Sequence, residues 1–139
     1  FADYGCALIA KSSGKNDLAF KKAGVAGTPF FMAPELLDQY QKKLKYYYKK
    51  AVEDEEKSEI KENSKQFFDQ DSMVACDLFS IGMTILLITA PKLKRDKMYD
   101  YLNSRFEEDY PRLAPIIAQL LDKDPQIRLK AIPGILDKQ

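Results

Sequence analysis

Two side chains early in the sequence could do chemistry: the carboxylate of Asp3, which stands before Tyr4 and Gly5, and the hydroxyl of Thr28. A carboxylate is the hard oxygen ligand that Mg²⁺ prefers. Each residue also has a simpler explanation, because Asp3 with Gly5 is a common turn sequence and Thr28 stands beside Pro29 in another. Their role therefore depends on the sequence around them.

Composition narrows the classes of function. The 22 Lys+Arg and 21 Asp+Glu leave a net charge of +1, which favours neither nucleic acid nor a membrane surface as a partner. The chain has no His, and Cys6 and Cys76 lack the spacing of a metal site, so we interpret both as packed, reduced thiols. The apolar stretch 78–90 is shorter than the roughly 20 residues of a membrane span. We expect a cytoplasmic or other intracellular location.

The chain divides into three parts by composition. Residues 1–35 are rich in turn-forming residues and indicate a loop that ends where Pro34 begins a short helix. The charged stretch 38–71 follows, and residues 42–65 within it hold eight Lys and six Asp or Glu without Gly or Pro, which is typical of a solvated helix or a disordered loop. Residues 72–139 are more apolar and should form a helical core.

Hydrophobic periodicity predicts three helices in this core. Residues 74–90 are apolar nearly all round, so we expect a buried central helix that is capped by Asp71-Ser72 and ended by Pro91. Two amphipathic helices, over 97–106 and 113–122, should pack around it. Their predicted apolar stripes are Met98, Tyr101, Leu102 and Phe106 in the first, and Leu113, Ile116, Ile117, Leu120 and Leu121 in the second.

Four short motifs occur in a fixed order along the chain. They are Asp3-Tyr4-Gly5, Gly27-Thr28-Pro29-Phe30-Phe31-Met32-Ala33-Pro34-Glu35, Asp77-Leu78-Phe79-Ser80-Ile81-Gly82 and Leu121-Asp122-Lys123-Asp124-Pro125-Gln126-Ile127-Arg128. They resemble the Asp-Phe-Gly, Ala-Pro-Glu, Asp-x-Trp-Ser-x-Gly and Leu-x-x-Asp-Pro-x-x-Arg motifs of the eukaryotic-type protein kinase superfamily. The resemblance covers nearly the whole chain except the charged stretch 38–71.

This resemblance implies a fold and a chemistry. The chain would be the mainly α large-lobe portion of a kinase domain, 1–139, without its small lobe and catalytic loop. Residues 1–35 would be the activation segment, in which Asp3 binds the Mg²⁺ that bridges ATP phosphates and Tyr4 and Gly5 complete the motif. Thr28 would be the substrate-loop threonine of the serine/threonine-specific type.

The remaining motif residues would have structural roles. The resemblance implies that Glu35 and Arg128 form a buried ion pair, and that the carboxylate of Asp77 holds the catalytic loop from below. That loop, the ATP-clamping lysine and the catalytic aspartate would lie in an upstream kinase half, in the same or another chain. By itself the 139-residue chain should be inactive.

Three classes of function remain open from the sequence. The first is a protein serine/threonine kinase with ATP and Mg²⁺ as cofactors and protein hydroxyls as substrate. The second is a pseudokinase or structural scaffold subunit, in which the lobe binds an assembly partner. The third is a helical interaction module unrelated to kinases. An upstream lysine and an intact catalytic loop would favour the enzyme.

Overall fold

The computed structural model describes residues 27–52 and 70–132. Within these ranges the chain is mainly helical and has no strand, as the periodicity predicts. The order of elements is a 3-10 turn (Pro29–Phe31), α1 (Pro34–Val52), α2 (Gln70–Thr89), a second 3-10 turn (Arg95–Lys97), α3 (Met98–Tyr101), a π-helical turn (Leu102–Phe106), α4 (Glu107–Asp109), α5 (Ala114–Leu120) and α6 (Pro125–Leu129).

Helix α2 is the central helix of the described core. It ends at Thr89, two residues before Pro91, as predicted. It begins at Gln70, so the expected cap at Asp71-Ser72 is wrong. Asp71 lies in the first helical turn, where its negative charge interacts favourably with the positive end of the helix dipole. The buried side chains of α2 are Ala75, Cys76, Leu78, Phe79, Met83 and Leu86.

One face of α2 remains exposed, which corrects the expectation that the helix is buried all round. Ile81 is 50% exposed and Ile88 is 73% exposed, and both share a stripe with Asp77 and Thr84 at intervals of three and four residues. An apolar residue in a sequence does not reveal whether a neighbour covers it, so periodicity alone could not identify this stripe.

Helix α2 is also long and apolar enough to cross a membrane, judged by length and composition alone, over Asp71–Thr89. The sequence-based estimate was too short because it started the apolar segment at Leu78. Within the described residues, α2 packs in a shared core with other helices and with the turn Pro29–Phe31, and its Met83 and Leu86 are fully buried there.

The helices after α2 pack against it through two sets of buried residues. The segment from α3 to α4 contributes Met98, Leu102 and Phe106, while α5 and the residue after it contribute Ala114, Ile117, Leu120 and Leu121. Tyr101 is half-buried and donates a hydrogen bond to Thr89 at 3.1 Å. Leu113 is 45% exposed, contrary to the predicted stripe, because it lies in the turn before α5 at the edge of the core.

Gly82 lets α2 approach the end of α5 closely. A Cβ atom at this position would lie 2.9 Å from both Cγ and Cδ2 of Leu121, and 3.2 Å from Cβ of Leu120. These distances are shorter than ordinary van der Waals contact, so the absence of a side chain sets the spacing between the two helices.

Helix α1 begins at Pro34, which occupies the first turn as predicted. It runs from the last predicted loop residues into the charged stretch, so the two parts share one helix up to Val52. Leu36 packs against the core, whereas Leu44 is 51% exposed beside exposed lysines. The first part of the charged stretch is therefore helical up to Val52, with exposed side chains at 41–45, and residues 53–69 lie outside the described residues.

Candidate functional site

The predicted site residues fall into two groups. Asp3, Tyr4 and Gly5 lie outside the described residues, so the expected Mg²⁺ ligand is not placed. Thr28, Glu35, Asp77 and Arg128 are all described. Across 27–52 and 70–132, no group of three or more His, Cys, Asp or Glu side chains is arranged to hold a metal ion.

Thr28 is exposed and stands directly before the 3-10 turn. Its backbone is extended, with φ −86° and ψ 124°, and its carbonyl oxygen accepts a hydrogen bond from the Phe31 amide at 3.0 Å. Its hydroxyl does not cap the turn. Gly27, which precedes it, has φ 126°, a conformation that favours glycine. The Thr28 hydroxyl is therefore presented on the surface, where another molecule can reach it.

Glu35 and Arg128 form an ion pair between the first turn of α1 and helix α6, in which Arg128 Nη2 donates to Glu35 Oε1. The side chain of Arg128 is fully buried. Its other donors bind backbone carbonyls: Nε to Ala75 at 2.9 Å, and Nη1 to Asp122 at 2.7 Å and Lys123 at 3.4 Å. One guanidinium thus connects α1, α2 and the turn between α5 and α6.

Cys76 is a third member of this buried group, and sequence reasoning did not identify it. Its thiol donates to Glu35 Oε1 with an Sγ–O distance of 3.4 Å. Burial, and next the charge of Glu35, raise the pKa of the Cys76 thiol to about 12. A packed, protonated thiol agrees with the interpretation made from the sequence. The second oxygen of Glu35, Oε2, is buried and receives no hydrogen bond from the described residues.

The 3-10 turn is fixed to the core by two side chains. Arg95 Nη1 donates to the carbonyl oxygens of Pro29 at 3.2 Å and Phe30 at 2.6 Å. Ser80 Oγ donates to the carbonyl oxygen of Phe31 at 2.8 Å. The three successive carbonyls of the turn are therefore bound by side chains from α2 and from the segment that follows it.

Phe79 joins the two arginines that hold this region. The guanidinium carbon of Arg95 lies 5.4 Å from the centre of the Phe79 ring, and that of Arg128 lies 5.6 Å from it. Both distances are within the range of a cation–π contact. Phe79 is fully buried, so it also packs the core. No pattern in the sequence distinguishes Arg95 from the lysines around it, and its role becomes visible only in the structure.

Asp77 lies on the exposed stripe of α2. Although the residue is exposed as a whole, desolvation by neighbouring atoms raises the pKa of its carboxyl. Within 27–52 and 70–132, it has no ion pair that would offset this effect. The carboxylate is thus available to accept hydrogen bonds from a group outside the described residues.

Comparison with family models, with curated proteins and with solved structures finds no match to this chain.

Proposed function

We propose that this chain is the large-lobe portion of a protein serine/threonine kinase that transfers phosphate from MgATP to protein hydroxyls. The observation that carries the proposal is the Glu35–Arg128 ion pair, because the motif resemblance singled out these two residues from positions 93 apart. A buried charged pair is costly to build unless both partners are well placed. The pair would join the activation segment to the end of the lobe.

The exposed Thr28 supports the substrate side of the proposal. In a kinase of this type, the threonine before the fixed turn would face the protein substrate, and its hydroxyl is exposed as that role requires. The turn behind it is bound to α2 through Ser80 and to the following segment through Arg95. Such a fixed backbone would orient the acceptor hydroxyl, which is the main contribution of the protein to phosphoryl transfer.

The binding of Mg²⁺ and ATP is proposed from the motif resemblance, because Asp3 lies outside the described residues. Asp3 would hold Mg²⁺, and the metal would supply positive charge to the ATP phosphates. The motif resemblance implies that the other groups that clamp ATP would come from the upstream kinase half. The part of the chain described here would contribute the substrate loop and the core that supports it.

The alternative is a pseudokinase or scaffold subunit. The exposed Ile81 and Ile88, on the same stripe as Asp77, fit a scaffold as well as they fit a kinase. In a scaffold an assembly partner would cover this stripe, and in a kinase the catalytic loop would. In that case Thr28 would be a surface residue with no substrate. The fold would be the same and the chemistry would be absent.

A phosphoryl-transfer assay separates the two functions. The natural polypeptide that contains these residues together with the upstream half should phosphorylate serine and threonine peptides, and Asp3→Asn should lower the rate by roughly 10²-fold. Asp96→Asn, a change at an exposed aspartate of the second 3-10 turn, is the matched control and should leave the rate unchanged. A folded wild-type protein that transfers no phosphate would support the scaffold.

A further inference from the structure

The turn Pro29–Phe31 has little backbone hydrogen bonding to define its shape. The Phe31 amide donates to Thr28 at 3.0 Å and the Met32 amide donates to Pro29 at 3.3 Å. Pro29 has no amide hydrogen to contribute. Side chains from elsewhere in the chain add hydrogen bonds to these two.

Arg95 binds this turn from a distant position in the sequence. It lies 66 positions from Pro29 and 65 from Phe30, and one nitrogen, Nη1, binds both carbonyl oxygens. Its guanidinium carbon also lies 5.4 Å from the centre of the Phe79 ring, within the range of a cation–π contact, and this second contact limits the directions that the nitrogen can take. A lysine could supply the charge at this position but not the planar guanidinium with its several donors.

We infer that Arg95 is a positioning residue for the protein substrate: it holds the backbone beside Thr28 so that the acceptor segment of the substrate is bound in one orientation. The inference rests on the proposed function and adds to it a residue that lies outside all four motifs. Arg95 acts through the carbonyls of Pro29 and Phe30. Its loss should therefore weaken the binding of the protein substrate and leave the binding of ATP unchanged.

The position of the turn can be tested in the 139-residue chain by amide hydrogen exchange. In Arg95→Met the amides of Phe31 and Met32 should exchange roughly tenfold faster than in the wild type, because two charge-assisted hydrogen bonds to the turn are lost. Arg95→Lys should fall between the two. Arg105→Met, the same change at an exposed arginine whose nearest acid is Asp109 at 3.7 Å, is the control and should have no effect at the turn.

Two results would overturn the positioning role in this experiment. One is unchanged exchange at Phe31 and Met32 in Arg95→Met. The other is a uniform rise in exchange throughout α2 and α5, which would show a general loss of stability. If Arg95→Met does not fold, Arg95→Lys gives the same comparison, and Ser80→Ala, which removes the bond to Phe31, provides a second loosened turn for reference.

Steady-state kinetics of the longer polypeptide test the effect on the substrate. Arg95→Met should raise the KM for a protein or peptide acceptor roughly tenfold while the KM for MgATP stays the same, and Arg95→Lys should restore part of the loss. An equal change in both KM values, or a fall in kcat alone, would contradict the inference. If the wild-type protein has no activity, both the proposed function and the substrate role of Arg95 are rejected. The hydrogen-exchange experiment would still show whether Arg95 holds the turn.

Discussion

Glu35 and Arg128 form an ion pair across 93 positions of sequence, and the guanidinium of Arg128 is fully buried beneath it. Arg128 also binds the carbonyl oxygens of Ala75 and Asp122, so it satisfies acceptors on two further elements. A buried charge with this many partners is strongly destabilising when any essential partner is lost. The pair therefore holds the first turn of α1 against the core, together with the packing of Leu36.

Arg128→Met should lower the free energy of unfolding by about 3–5 kcal/mol, because it leaves the Glu35 carboxylate without its cation and removes the Arg128 hydrogen bonds to three backbone carbonyls. Thermal unfolding followed by circular dichroism should show the melting temperature falling by roughly 10 °C. Arg105→Met, at an exposed site, should change it little.

A double-mutant cycle measures the interaction energy between Glu35 and Arg128. Glu35→Met with Arg128→Met removes both charges and should be less destabilised than the sum of the two single variants, by about 1–3 kcal/mol. Additive effects would mean that Glu35 and Arg128 do not interact in solution.

The sequence predicted the elements of the core better than their exposure. The periodicity of 74–90 and the position of Pro91 located α2, and the motifs paired Glu35 with Arg128. Cys76 was not expected to bind Glu35, because a single cysteine in an apolar helix carries no sign of its partner. The tertiary contacts of Arg95 were missed for the same reason: a hydrogen bond to a carbonyl 65 positions away leaves no local pattern.

Cys76 should be almost unreactive in the folded protein. With its thiol pKa raised to about 12, roughly one molecule in 10⁴ carries the thiolate at pH 8. We expect a Cys6→Ser variant, which retains only Cys76, to be alkylated by iodoacetamide at pH 8 far more slowly when folded than in urea. Glu35→Gln should accelerate labelling modestly, because burial contributes more to the raised pKa than Glu35 does. Equal rates with and without urea would show that the thiol is accessible.

The same raised pKa makes a prediction about stability. The folded state holds the thiol proton more tightly than the unfolded state does, so this contribution is complete below the ordinary thiol pKa of about 8.5 and is lost as the pH rises towards about 12. Wild-type protein should therefore lose free energy of unfolding as the pH rises above about 8.5, and Cys76→Ser should lack the part of this loss that the thiol causes. Urea unfolding at a series of pH values measures the difference. A pH dependence identical to that of the wild type would contradict this expectation.

Gly82→Ala should destabilise the protein by about 1–3 kcal/mol, although alanine is the better helix former by about 1 kcal/mol. The added Cβ would lie 2.9 Å from Cγ and Cδ2 of Leu121, a fully buried side chain that would have to shift to admit it. Urea unfolding measures the difference. Thr84→Ala, on the exposed face of the same helix, is the control and should be neutral or slightly stabilising.

The clash can be checked by making space for the new methyl group. Leu121→Ala alone should cost about 2–5 kcal/mol, and the double variant with Gly82→Ala should cost less than the sum of the two. If Gly82→Ala stabilises the protein, α2 and the end of α5 do not approach as closely as the structure indicates.

Asp77→Asn should leave the 139-residue chain at least as stable as the wild type at pH 7. Desolvation raises the pKa of the Asp77 carboxyl above its ordinary value of 3.8, so the folded state binds the proton more tightly than the unfolded state does. The stability linked to that proton is complete below the ordinary value and is lost as the pH rises through the raised one. Asparagine does not titrate, so any advantage of the variant at pH 7 should disappear by about pH 3.

Thermal unfolding at pH 3, 5 and 7 measures the difference in stability between Asp77→Asn and the wild type, with Asp96→Asn as a matched exposed control. In the longer polypeptide the proposed function requires the Asp77 carboxylate to bind the catalytic loop, so there Asp77→Asn should lower both stability and phosphoryl transfer. Opposite effects in the two proteins would identify the exposed stripe of α2 as the surface that receives the missing loop. A clear loss of stability at pH 7 in the 139-residue chain would instead mean that Asp77 is already bound within it.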